Sequence, residues 1–167
     1  MHALPASLHN RPERIASAVA DLAGSLRGRG LRVALGYADC GTYGALDEVC
    51  ATLQIGRLRG LHCYDVLGGA ARVRALLERE PGTYLLTDYL VRSFERTVLA
   101  ALGLDRHPQL WADYFGHYRR LVWLAQERDA ALDSRAAAIA VRFGLPLRVI
   151  DVGTGGLERE LAALLDG

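Results

Sequence analysis

The chain has 167 residues, of which 51% are hydrophobic and 23% are charged, and its formal net charge is +1. This composition is typical of one globular domain with a sizeable core, and the small net charge gives no reason to expect nucleic acid or an anionic membrane as a partner. No apolar run reaches the ~18 residues of a membrane helix and the N-terminus is not a signal peptide, so we expect a cytoplasmic protein with reduced cysteines. All 20 basic residues are arginine, which excludes a Schiff-base lysine and a phosphate-loop lysine.

Strand and helix patterns alternate along the chain. Residues 2–4 resemble the end of a strand, and Pro12 stands in the first turn of an amphipathic helix that reaches about residue 26. Further helices are predicted at 42–53, 65–80, 88–102, 109–115, 129–143 and 157–165, and strands at 31–37, 57–61, 84–87, 121–125 and 146–150. This order predicts a single α/β domain over residues 1–167, with a three-layer, Rossmann-like open sheet that is mainly parallel and has helices on both faces.

Two of the three cysteines follow predicted strands and precede helical patterns. Cys40 comes after strand 31–37, and Cys63 comes after strand 57–61. Because the carboxyl ends of parallel strands meet at one edge of a sheet, we expect the two thiols to lie close together there. A thiolate at a helix N-terminus has a lowered pKa, and soft thiolates favour zinc or an iron–sulfur cluster. The pattern therefore predicts a metal or cluster site, although two ordinary buried cysteines would give the same sequence.

Three other residues are weaker candidates for the predicted metal site. His62 adjoins Cys63 and is a candidate third metal ligand, but neighbours in an extended segment point to opposite faces. His9 follows the first strand-like stretch and is expected at the same edge. Cys50 lies on the apolar face of its helix, which favours a structural role.

The pattern D-x-G-T-x-G occurs twice, at residues 39–44 and 151–156. Each copy follows a strand and opens a helix, so each could present backbone amides to an anion or nucleotide. Glycine turns with Asp and Thr as helix caps are the alternative explanation. The candidate cofactor-binding residues of the two loops are Gly41, Thr42, Gly44, Gly153, Thr154 and Gly155.

Further candidates follow the later strands. Asp88 comes directly after strand 84–87 and could be a general base, a hydrogen-bond partner that orients another site residue or, more simply, a helix cap. His107 and His117 lie in segments that could form a lid over the strand-end edge, and they are further catalytic candidates. Arg119 is a candidate for binding an anionic group of a cofactor or substrate.

Six segments of the chain, at residues 4–13, 37–42, 62–64, 86–92, 103–108 and 114–119, resemble a bacterial and archaeal family catalogued as domain of unknown function 1638. The family carries no settled activity. Its members resemble accessory proteins found beside corrinoid-dependent methyl-transfer systems, which implies one-carbon metabolism and a possible protein partner in such systems.

The family pattern opens with a strand that ends in a third cysteine, and this chain starts after that point. The resemblance thus implies an N-terminal strand that is truncated here. A misassigned start, a degenerate branch, or compensation by Cys50 or His62 would each account for the difference.

The leading hypothesis from the sequence is a metal- or iron–sulfur-binding protein that uses Cys40, Cys63 and His62, with an open position for a small anionic or thiol-bearing molecule. A metal-free anion- or nucleotide-binding module built on the two glycine-rich loops is the second hypothesis. A non-enzymatic partner protein that docks another subunit in the same cleft is the third.

Overall fold

The structure, a computed structural model, describes residues 1–166. Its contacts divide into two compact units, of which one comprises residues 67–156 and the other comprises residues 1–66 with the C-terminal segment from Leu157. Each unit has its own buried apolar core. The expected single domain over residues 1–167 stays a prediction.

The 67–156 unit contains a three-stranded parallel sheet. Its strands are β1 Thr83–Thr87, β2 Arg120–Ala125 and β3 Leu147–Asp151, in the spatial order β1-β2-β3. The central strand is apolar along its length, with Val122, Trp123 and Leu124 fully buried, as expected for a parallel strand that is covered on both sides.

Helices cover both faces of this sheet. Leu121, Trp123 and Ala125 pack on α5 Asp88–Phe94 and α7 Ala130–Phe143. Side chains alternate along a strand, so Leu124 points to the opposite face. There a Cβ built on Gly68 would lie 3.2 Å from the Leu124 side chain, next to α4 Ala70–Arg79. The predicted class, an open parallel α/β sheet between helices, is confirmed.

The other unit is built mainly from helices α1 Ile15–Gly28, α2 Ala45–Leu53 and the C-terminal part of α8 Gly155–Asp166. Ile15 and Val19 of α1 pack against Leu46 and Cys50 of α2. The short helix α3 Cys63–Gly68 begins in this unit. Cys50 is buried in this core, as its helical spacing predicted.

The two strands expected before residue 67 are largely replaced by irregular chain. Segments 31–37 and 57–61 run parallel, but only Leu35 and Arg57 form a bridge. The Leu35 amide donates to the Gly56 carbonyl at 2.9 Å, and its carbonyl accepts from the Leu58 amide at 3.1 Å. Glycines at positions 30, 36, 56 and 60 weaken extended pairing because they add backbone entropy and no side-chain packing.

Several predicted boundaries were wrong. Residues 2–4 are irregular rather than a strand end, and the helix expected from 42 begins at Ala45. The helix expected over 65–80 is interrupted at Gly69, whose φ of 83° is incompatible with a helix. The helix expected over 88–102 becomes π-helical from Glu95 to Ala100.

The remaining elements follow the predicted order. A short helix α6 Trp111–Phe115 precedes β2, and its rings pack with Phe143 of α7. Among the described residues, none of the helices is both long enough and apolar enough to cross a bilayer.

Candidate thiol site

Two parallel loops bring Cys40 and Cys63 side by side in the unit that contains residues 1–66. The Cys40 amide donates to the Leu61 carbonyl at 2.7 Å, and the Asp39 amide donates to the Gly60 carbonyl at 3.3 Å. These two hydrogen bonds extend the parallel register of the Leu35–Arg57 bridge beyond the point where the strand pattern ends. The two cysteines therefore lie close together, as predicted, although they follow irregular segments rather than strands.

Asp39 fixes the loop that carries Cys40. Its carboxylate accepts hydrogen bonds from the Thr42 hydroxyl, from the Tyr43 amide at 3.1 Å and from the Gly44 amide at 3.2 Å. Burial raises the pKa of Asp39, but the bonds from Thr42, Gly44 and Tyr43 together outweigh it and hold the pKa below its ordinary value. Cys40 itself has a φ of 46°, a left-handed conformation that this closed loop imposes.

Asp65 fixes the second loop in the same way. Its carboxylate accepts from the Leu61 amide at 2.9 Å and from the His62 amide at 3.3 Å. Gly60 precedes them with a φ of 111°, and a Cβ at that position would lie 2.9 Å from the Asp65 side chain. The loop therefore requires glycine there, and it delivers Cys63 as the first residue of α3.

The two thiols have strongly unequal proton affinities. A hydrogen bond from the Cys63 thiol is the largest influence on Cys40; burial opposes it, and bonds from the His9 imidazole and the Cys63 amide reinforce it, so the Cys40 pKa falls to about 5. The same hydrogen bond, together with burial and the nearby Cys40 charge, raises the pKa of Cys63 above its ordinary value. Of the two sulfurs, Cys40 is therefore the one that the surroundings favour as the thiolate, and Cys63 is the one favoured as the hydrogen-bond donor.

Tyr37 and His9 complete the surroundings of Cys40. The two rings lie 5.3 Å apart, and burial followed by the Cys40 charge raises the pKa of Tyr37. The Tyr37 hydroxyl is buried and has no hydrogen-bond partner in the described part of the chain, and interaction with the Cys40 side chain contributes to its raised pKa. The sequence offered no signal for Tyr37, because aromatic residues at strand ends are common in cores.

The third metal ligand predicted from the sequence does not join the thiols. The His62 side chain is about half exposed, and its Nδ1 lies 3.8 Å from the Asp65 carboxylate. His9 is the imidazole that contacts Cys40. Across residues 1–166, no three His, Cys, Asp or Glu side chains are arranged to hold a metal ion. The protein thus supplies two adjacent sulfur donors, both partly exposed.

The two glycine-rich loops have few amides to offer an anion. In loop 39–44, the Tyr43 and Gly44 amides are engaged by Asp39, and the Thr42 amide by the Asp39 carbonyl. In loop 151–156, the Val152 and Gly153 amides both donate to the Ala125 carbonyl, at 2.8 and 3.3 Å. The cap-and-turn explanation accounts for these bonds, and the assignment of Gly41, Thr42, Gly44, Gly153, Thr154 and Gly155 to a cofactor stays a prediction.

Asp88 is buried at the carboxyl end of β1 in the 67–156 unit. Its carboxylate accepts from Trp123 Nε1 at 2.8 Å, from the Gln126 amide at 3.2 Å and from the Glu127 amide at 2.9 Å. The helix cap is Thr87, whose hydroxyl accepts from the Leu90 amide. Asp88 therefore ties the turn after β2 to the start of α5, and its assignment as a catalytic residue stays a prediction.

The remaining candidates of the 67–156 unit lie apart from Asp88. The Arg119 amide donates to the carbonyl of Gly82, which precedes β1, so His117 and Arg119 lie at the amino ends of the strands. Asp88 lies at their carboxyl ends, so the expected lid over that edge is wrong for this segment. His107 is exposed in the turn before α6.

Comparison with known proteins gives one match. The family model described as Protein of unknown function (DUF1638) matches residues 3–161. The chain belongs to this family. No curated protein and no solved structure matches the chain. The match confirms the resemblance seen in the sequence.

Proposed function

We propose that the protein binds a thiophilic metal, zinc or an iron–sulfur cluster, through the paired sulfur atoms of Cys40 and Cys63. The observation that supports this is the pairing itself: two loops, each closed by its own aspartate, bring the Cys40 and Cys63 side chains together. Thiolate sulfur is the donor that zinc, iron–sulfur clusters and copper(I) prefer over water and carboxylate.

The unequal pKa values suit stepwise metal capture. The Cys40 thiolate can bind a cation at neutral pH without losing a proton, and the bound charge then lowers the pKa of Cys63 so that it releases its own. His9 is the imidazole that interacts with Cys40. The remaining positions would be filled by a small anionic or thiol-bearing molecule, since both sulfurs are partly exposed.

A second candidate function is dithiol redox chemistry, which the difference in pKa between the two cysteines favours. The Cys40 thiolate would attack a substrate disulfide and release one substrate thiolate, which takes up a proton. After losing its proton, Cys63 would attack the mixed disulfide and release the second thiolate. Two electrons pass to the substrate, and a Cys40–Cys63 disulfide forms. This candidate requires a reducing compartment to restore the pair, in agreement with the cytoplasmic location expected from the sequence.

A role beside corrinoid-dependent methyl transfer, with a protein partner in such a system, remains the proposal that the family resemblance suggests. A metal or thiol site is compatible with that role, since one-carbon groups are commonly carried on thiols and metals. Binding of a methyl-transfer protein to the wild-type chain, and its loss in Cys40→Ser, would support it.

The decisive experiment is metal and acid-labile sulfide analysis on protein purified without oxygen, with an absorption spectrum. Wild type is compared with Cys40→Ser and Cys63→Ser. Cys50→Ser is the matched control, because it makes the same substitution at a buried cysteine outside the pair.

We expect about one metal or cluster equivalent in wild type and in Cys50→Ser, and loss in both other variants. Iron with sulfide would identify a cluster, and zinc alone a mononuclear site. Protein without metal that forms a Cys40–Cys63 disulfide under mild oxidation would overturn the metal proposal in favour of the dithiol function. Protein that shows neither property would overturn both.

A further inference from the structure

A second feature of the unit that contains residues 1–66 is an open cleft of about 870 Å³. Its walls are the end of α1, the extended segment 30–34, residues 54–59 and the last turns of α8. This volume lies in the range of small-molecule sites. Neither Cys40 nor Cys63 lines the cleft, so it is a different place from the thiol pair.

The described lining of the cleft is strongly basic. Arg27, Arg32, Arg57 and Arg59 face one carboxylate, Glu160. The Arg57 guanidinium is neutralised by Asp47, with Nε–Oδ1 at 2.6 Å and Nη2–Oδ2 at 3.0 Å. The other three arginines share the described lining with one carboxylate, Glu160, which gives the cleft an excess of positive charge.

The guanidiniums of the cleft differ in how they are held. Arg27 Nη1 donates to the Gln54 carbonyl at 3.2 Å, which fixes its position while leaving its charge uncompensated. Arg32 and Arg59 form no ion pair with any residue in the described part of the chain. Guanidiniums gathered in one concavity repel one another, and an anion bound between them would remove that repulsion.

The rest of the lining has donors and an apolar wall. The amides of Arg32, Val33 and Ala34 donate no hydrogen bond to the described residues. This segment precedes Leu35, the residue at which the chain pairs with Arg57. Leu31 is 47% exposed and Leu165 is 65% exposed beside these charged groups. Apolar side chains next to free donors suit a ligand that has both an anionic and an apolar part.

We propose that this cleft binds a soluble phosphate ester that carries more than one negative charge and an apolar or aromatic body, the chemistry of a nucleotide. Arg27, Arg32 and Arg59 bind the phosphate groups, and the free amides of segment 32–34 supply further donors. Leu31 and Leu165 contact the apolar body. The proposal does not depend on metal at the thiol pair. The anion would be bound by arginine side chains and by backbone amides of an irregular segment, and not by either glycine-rich loop.

The test is calorimetric titration at low ionic strength with two probes, inorganic pyrophosphate and adenosine triphosphate. Wild type is compared with the double variant Arg32→Ala/Arg59→Ala, whose residues are exposed and unpaired, so that folding is expected to be retained. The matched control is Arg72→Ala/Arg74→Ala on α4, which removes the same charge outside the cleft. Circular dichroism confirms that each variant is folded.

We expect one saturable site for adenosine triphosphate in wild type, weaker binding of pyrophosphate, and affinity reduced at least about tenfold in Arg32→Ala/Arg59→Ala. The control should change affinity less than about twofold. No saturable binding of either probe, or an equal loss in the control, would overturn the proposal. Sedimentation with phosphatidylserine vesicles that depends on Arg32 and Arg59, without binding of either soluble probe, would also overturn it and assign the cleft to a lipid headgroup. Cys40→Ser should leave the titration unchanged, which separates this proposal from the metal proposal.

Discussion

Removal of the Cys63 sulfur tests whether the Cys63 thiol lowers the pKa of Cys40. In Cys63→Ala, Cys40 loses the hydrogen bond that lowers its pKa most, while burial, His9 and the backbone amide remain. We expect the Cys40 pKa to rise from about 5 to about 8, near the ordinary range of a cysteine. The substitution removes one sulfur atom from a partly exposed position, so its effect on folding should be small.

The higher pKa changes the reactivity of Cys40 in two opposing ways, because it lowers the fraction of thiolate and raises the nucleophilicity of each thiolate. At pH 6 the thiolate fraction of Cys40 falls from about 90% in wild type to about 1% in Cys63→Ala. A thiolate of higher pKa attacks disulfides faster, and a Brønsted coefficient of about 0.4–0.5 over three pH units gives about a twentyfold gain. The variant should therefore react about fourfold more slowly at pH 6 and about twentyfold faster above pH 9, and the two rate profiles should cross between about pH 6 and 7.

The assay is the pH dependence of Cys40 modification by 2,2′-dithiodipyridine, with mass spectrometry to assign the modified residue. The ratio of variant to wild-type rate at each pH cancels the reagent's own titration. Only the first phase is fitted, because Cys63 can displace the label in wild type. The control is Cys50→Ala, which leaves the pair intact and should keep the wild-type midpoint.

Two results would refute the reasoning. A wild-type midpoint near 8.5 would show that Cys40 is an ordinary thiol. A midpoint that stays near 5 in Cys63→Ala would show that another group, rather than the Cys63 thiol, stabilises the thiolate.

Three further predictions concern the residues that hold the sites. His9→Ala should raise the Cys40 pKa by less than Cys63→Ala does, since the imidazole is a smaller influence, and a larger rise in the same profile would contradict this ranking. Asp39→Asn should lower the free energy of unfolding in urea by about 1–2 kcal/mol at pH 7, because the closed loop loses charged acceptors. The folded pKa of Asp39 lies below its ordinary 3.8, so this difference from wild type should shrink as the pH falls below about 4, and a difference that does not depend on pH would exclude the charge as its cause. Asp88→Asn should lower the free energy of unfolding by about 2–3 kcal/mol and alter the fluorescence emission of Trp123, because one carboxylate oxygen and its bonds to buried donors are lost. Unfolding of this variant at the same urea concentration as wild type would show that those bonds are weak.

The candidate site was predictable in part because strand ends follow from topology. A cysteine that follows each of two parallel segments has to lie near the other, and this held even though segments 31–37 and 57–61 form a single bridge rather than strands. What the sequence could not predict is which sulfur carries the charge. The position of the charge depends on the direction of the hydrogen bond between Cys40 and Cys63 and on His9, which lies 31 residues before Cys40 in the chain. No sequence pattern indicates the direction of a hydrogen bond.

The role of Asp88 and the arginine cleft also could not be predicted from the sequence. A carboxyl group after a strand is typical of a cap or of a catalytic base, and only the position of Trp123, 35 residues away, makes Asp88 a structural link. Arg27, Arg32 and Arg59 lie in a helix end and two irregular segments, whose conformation depends on packing rather than on a local pattern.

The sequence alone identified the family through its motifs, and it predicted the alternation of strands and helices, a mainly parallel sheet, and the proximity of Cys40 and Cys63. The alternation and the sheet follow from hydrophobic periodicity and chain order, which are local properties of the sequence. The tertiary structure alone decided which strands pair, where Gly69 and the π-helical turn interrupt helices, and which groups surround the thiolate and the free guanidiniums. These are contacts between residues far apart in sequence, and their energies depend on distances of a few ångströms that no local pattern contains.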